Sequence, residues 1–75
     1  MESLSIVTLL SQKLYQLRKE RNITLQEVHL QTGIAVSSLS AYEKGKYVPS
    51  LDSICKIAKF YQVSLDFLLD VFEYK

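Results

Sequence analysis

The chain has few of the residues that stabilise or arm a small protein by covalent or metal chemistry. Its 75 residues include one cysteine, Cys55, so no disulfide framework exists within it. They include one histidine, His29, so a zinc site of several Cys and His ligands is excluded, and no metal or cofactor is expected. A lone thiol fits a reducing cytoplasm. There are only two glycines, which excludes a glycine-rich phosphate loop, and no nucleophile stands near a base in any catalytic arrangement. An enzyme is therefore not expected. No apolar run approaches the roughly 20 residues of a membrane span. Met1 to Leu10 is apolar but short and lacks a basic leader; it reads as an N-terminal extension, not a signal peptide.

What remains is an apolar, weakly charged chain. A domain of this size buries only about 60% of its unfolded surface. Without disulfides or metal, its stability must come from packed helices, self-association, or both. The net charge is +1, but it is unevenly spread. From Gln12 to Tyr47, Lys13, Arg18, Lys19, Arg21, Lys44 and Lys46 outnumber Glu20, Glu27 and Glu43. From Val48 onward acids prevail over Lys56, Lys59 and Lys75. The first two thirds can carry a mildly basic face.

Apolar spacing predicts helices only. Leu4, Val7, Leu10, Leu14 and Leu17 form one stripe, giving a first helix over Thr8–Glu20 with room to begin earlier; Asn22 breaks it. Thr24-Leu25-Gln26-Glu27 is a capping box that starts a second helix running to Thr32. Gly33 stops it in the left-handed conformation of a C-cap. A third helix spans Val36–Lys44 and is closed by Gly45. Ser50 caps a fourth, Leu51–Tyr61, and Ser64 a fifth, Leu65–Val71. The expected core is Leu14, Leu17, Val28, Ile34, Leu39, Leu51, Ile54, Ile57, Ala58, Val63 and Leu68, and Cys55, in the apolar register of the fourth helix, is expected to be a small core residue as well. The reading is one all-α, five-helix domain over 1–75: an extension at 1–10, a helix-turn-helix at 24–44 and a tail at 70–75.

Helix, short turn at Gly33, helix is the arrangement that offers its second helix to the DNA major groove. From Leu14 to Leu69 the chain resembles the phage repressor and Cro-like family, the xenobiotic-response-element type of bacterial transcriptional regulator. The likeness rests on Leu17-Arg18, Thr24 through Gly33-Ile34, and Leu39-Ser40-Ala41-Tyr42-Glu43-Lys44-Gly45-Lys46. It continues through Pro49-Ser50-Leu51, Ile54-Cys55-Lys56-Ile57-Ala58 and Val63-Ser64-Leu65-Asp66-Phe67-Leu68-Leu69. The resemblance implies a lambda-repressor-like fold and a sequence-specific regulator, a repressor, working in the cytoplasm. It places Val36, Ser37, Ser40 and Ala41 at base edges. It places Thr24, Leu25, Ser38, Lys44, Lys46 and Tyr47 at phosphates. It also implies a partly buried ion pair between Arg18 and Glu43 that steadies the recognition helix without reading DNA.

Three features depart from the family pattern. The recognition helix holds Val, Ser and Ala where bidentate base readers such as Arg or Gln are common. Leu25 stands where many relatives have glutamine. His29 replaces a usual alanine at a close helix approach, so its ring must tilt outward or shift its surroundings. These departures keep an alternative open: a protein-interaction module, such as an antitoxin, anti-repressor or assembly factor, on the same fold. Finally, Ile6, Leu9, Phe60, Phe67, Val71, Phe72 and Tyr74 exceed what a small core needs. Phe67, Val71, Phe72 and Tyr74 are the expected homodimer surface, which suits two recognition helices on a palindromic operator. A protein effector is a further possible partner.

Overall fold

Local capping chemistry sets where each helix starts and stops. The computed structural model describes residues 6–69, with side chains from Leu9 onward. Among the described residues are five helices and no strand: α1 (Ile6–Glu20), α2 (Leu25–Thr32), α3 (Val36–Glu43), α4 (Leu51–Tyr61) and α5 (Leu65–Leu68). At α2 the Thr24 hydroxyl accepts from the Glu27 amide at 3.1 Å, and the Glu27 carboxylate accepts from the Thr24 amide at 2.8 Å. Ser50 and Ser64 cap α4 and α5 by the same hydroxyl-to-backbone bond. Ala35 cannot do this, and α3 begins without a side-chain cap.

Left-handed residues close four of the five helices. Gly33 terminates α2 at φ 78°, its amide bonding the His29 carbonyl at 2.8 Å. Beyond α3, Gly45 takes φ 75°; its amide bonds the Tyr42 carbonyl and the Lys46 amide bonds the Ala41 carbonyl at 2.9 Å, a Schellman closure. Asn22 and Gln62 close α1 and α4 in the same way at φ 58° and 59°, without glycine's freedom. The third helix thus ends at Glu43, one residue before the expected Lys44, which serves as its cap.

The buried residues join all five helices. Leu10, Leu14 and Leu17 from α1 meet Val28, Ile34 and Leu39, and then Ile54, Ile57, Ala58, Tyr61 and Leu68. α2 packs on α3 and α4, α1 on α3 and α5, and α4 on α5. Leu10 and Tyr61 belong to this core although the sequence reading left them out. Two expectations are overturned. Leu51 is 72% exposed, because it sits in the first turn of α4, beyond the elements that cover the rest of its stripe. Cys55 is exposed because it falls about 60° from Ala58, past the edge of the buried face. Val63 is half-buried and packs against the core from its margin. α5 ends at Leu68 with Leu69 as its cap, shorter than expected. Leu4, Val71, Phe72 and Tyr74 lie outside the described residues, as do the side chains of Ile6 and Val7.

Candidate nucleic-acid interface

The path from α2 to α3 is held by short polar contacts. The Thr32 hydroxyl donates to the Val28 carbonyl at 2.8 Å and accepts from the Ile34 amide at 3.2 Å, so one side chain spans the turn. His29 adds a second brace. Its Nδ1 lies 2.8 Å from the Ile34 carbonyl, and because a carbonyl only accepts, Nδ1 carries the proton and donates. The ring is half-buried at this turn, which is how a side chain larger than alanine is accommodated.

Arg18 fixes the far end of α3. Its Nε donates to Glu43 at 2.8 Å, a terminal nitrogen donates to the other carboxylate oxygen at 3.0 Å, and the second terminal nitrogen reaches the Ile23 carbonyl at 2.9 Å. The two side chains are only 13% and 10% exposed. The bond to Glu43 raises the Arg18 pKa above its ordinary value, outweighing the opposing effect of burial. One guanidinium thereby ties the end of α1, the segment leading to α2 and the end of α3 into one unit. Arg21 reinforces it, donating to the Leu17 and Tyr61 carbonyls.

On the outside of this unit, Ser37 is exposed on α3, with Val36, Ser38 and Ser40 half-exposed beside it. Lys44, Lys46 and Tyr47 are exposed just past the helix, brought together by the Gly45 turn. Thr24 is exposed at the α2 N-terminus and Leu25 is half-buried against the core. Two placements correct the sequence reading. Ala41 is only 8% exposed, and a methyl this short and this buried offers little surface to a base edge. The Thr24 amide is not open to a phosphate because Glu27 already accepts from it. The helix-end amides of Leu25 and Gln26 have no carbonyl a turn behind them and remain to face an anion. Reasoning from sequence missed the consequence of the capping box, which is a carboxylate placed at the same helix end.

A helix-turn-helix family model matches residues 14–68, the span that contains α2 to α5 and the end of α1. The chain belongs to this helix-turn-helix family. Its type is the Cro-like one that the sequence resembles, a family of DNA-binding transcriptional regulators and not of enzymes. Three relatives show the same likeness. The uncharacterised HTH-type transcriptional regulator YobD of Bacillus subtilis is 40% identical over 58 residues, covering 77% of this chain and 52% of that protein. The transcriptional activator BcrR of Enterococcus faecalis is 36% identical over 59 residues, covering 79% and 29%. The cryptic phage CTXphi transcriptional repressor RstR of Vibrio cholerae is 40% identical over 55 residues, covering 73% and 50%. The chain spans about half the length of these relatives or less. No solved structure matches it. Among the described residues, no helix of this helix-turn-helix chain is long and apolar enough to cross a membrane.

Proposed function

We propose that the chain is a single sequence-specific DNA-binding unit that represses transcription in the cytoplasm. As a homodimer on a palindromic operator, it inserts α3 into the major groove. The observation that carries this reading is the polar outer side of α3, with Ser37 at its centre, flanked by the exposed pair Lys44 and Lys46 on a braced turn. Ser37, Ser40 and Val36 reach base edges. Ser38, Lys44, Lys46, Tyr47 and the Leu25 amide hold phosphates, which set register without reading sequence. Serine bonds to several bases and valine touches a thymine methyl, so shape contributes much of the specificity. Phe67, exposed on α5, and Val71, Phe72 and Tyr74 of the tail supply the dimer contact. Repression follows the relative named as a repressor; the relative named as an activator makes the sign of regulation a point to measure.

The test is selection of duplexes from random DNA by the full chain at two salt concentrations, followed by a promoter fusion carrying the recovered site. Enrichment of a palindrome and lower reporter output are expected. Higher output would reverse the sign of regulation. No retention of any duplex at low salt would overturn the DNA reading in favour of the alternative, a protein-interaction module on the same fold.

A further inference from the structure

The α2–α4 side of the molecule holds a groove that the α3 surface does not use. Gln31 and Thr32 at the end of α2 form one wall, and Lys56, Lys59 and Phe60 of α4 form the other, around an open space of about 470 Å³. Phe60 is half-buried, and both lysines are exposed. Lys56 pairs with Asp52 one turn back on its own helix at 3.1 Å. An exposed pair of this kind holds its cation weakly, so the ammonium is available to a second acid. Among the described residues Lys59 makes no ion pair. The groove therefore offers two cations beside an aromatic ring.

The chain's own sequence contains the complement. After Leu69 it reads Asp70-Val71-Phe72-Glu73-Tyr74-Lys75, with acids and aromatic rings interleaved. We propose that residues 70–75 of a second copy dock in this groove, with Asp70 and Glu73 against Lys56 and Lys59 and an aromatic ring against Phe60. The proposal rests on the homodimer reading above and names where the tail goes. The partner copy is favoured over the same chain by topology. The groove lies between α2 and α4, α4 also packs on α5, and Lys13 pins α5 to α1 by donating to the Phe67 carbonyl at 2.9 Å and covering the Phe67 ring at 4.7 Å. Six extended residues span at most about 20 Å. A tail crossing its own α4, roughly 10 Å thick with side chains, has too little length left to lie along the groove. Reciprocal exchange between two copies fills both grooves under one two-fold axis.

Charge reversal on the full chain tests this by sedimentation at micromolar concentration, with circular dichroism confirming helical content in each variant. One variant carries Lys56→Glu and Lys59→Glu; the other carries Asp70→Lys and Glu73→Lys. Each alone places like charges in its own dimer, and dimerisation is expected to weaken at least about tenfold. An equimolar mixture places each tail against a groove of opposite sign and is expected to recover the wild-type dimer. A wild-type-like dimer in either variant alone would overturn the docking while leaving the homodimer reading intact. So would two monomeric variants that fail to associate when mixed. A monomeric wild-type chain at every concentration would overturn both.

Discussion

Arg18 presents three nitrogens to three acceptors, a geometry that no other cationic side chain among the described residues has. Lysine would offer a point charge in place of a planar fork. Arg18→Ala strands the Glu43 carboxylate in a mostly buried place and is expected to cost about 3 kcal/mol or more in chemical denaturation. Arg18→Lys should recover only a minor part of that loss, whereas a loss within about 0.5 kcal/mol for the alanine variant would mark an ordinary surface pair. Tyr61 is the second informative residue. Burial, then the charge of Glu43, pushes its pKa up to about 12, against the lowering effect of Arg18 and Arg21. The unfolded chain ionises first, near the ordinary value of 10, so the neutral buried phenol stabilises the fold fully below that pH. That contribution is lost as pH rises from about 10 to about 12. Denaturation midpoints followed across this window should fall less steeply in Tyr61→Phe than in the wild type, and identical slopes would show that this phenol is not the group responsible.

At the scale of elements, the ends matter more than the middles. Gln62 closes α4 in a left-handed conformation that carries a steric cost for a side chain with a Cβ. Gln62→Gly should therefore raise the thermal midpoint, by about 1 kcal/mol or less of stability, since glycine's greater unfolded freedom offsets part of the gain. A lower midpoint would show that the Gln62 side chain contributes contacts that outweigh the strain. α2 meets an opposite conflict. Glu27 completes the capping box, yet its carboxylate sits where the helix end would hold a phosphate. Glu27→Gln keeps a hydrogen-bond acceptor and removes the charge, so binding to all duplexes should tighten a few-fold with no change in preferred sequence. At the end of α3, Lys44→Ala or Lys46→Ala should weaken binding to every duplex alike and lower the salt slope by about one unit. Ser37 substitutions should instead change the preferred sequence. Binding untouched by loss of either lysine would mean that α3 does not dock as proposed.

For the whole molecule, the decisive quantity is how many copies act together. In the proposed docking, one short helix bearing serines and valine would make few base-specific bonds, and a second copy on a neighbouring turn of the groove would supply the affinity that one lacks. Phe67 is exposed at the end of the described residues, and each ring buried in a two-fold contact is worth about 1.5–3 kcal/mol. Truncation after Asp70 should convert a sedimenting dimer to monomer and, at equal protein concentration, sharply reduce retention on a palindromic duplex. A truncated chain that still dimerises would remove the tail from the interface.

Much of this protein is legible in its sequence because the signals are local. Thr24 and Glu27, Ser50 and Ser64, Gly33 and Gly45 act on backbone groups within a few residues of themselves, so they mark helix ends whatever packs around them. Arg18 and Glu43 lie far apart in the chain, and their pairing was implied only through the resemblance. Tertiary structure alone decided the rest. Leu51 and Cys55 share or border the apolar register of α4, but burial depends on whether another element covers that turn, and among the described residues none does. Ala41 lies near Ser37 by helical angle, yet it is buried while Ser37 is exposed. Tyr61 and Leu10 became core, and Lys56, Lys59 and Phe60 became the wall of a groove, because α2 and α5 flank α4 as they do. Periodicity says which face of a helix is apolar; only the neighbours decide which apolar residues are buried and which surfaces stay open to a partner.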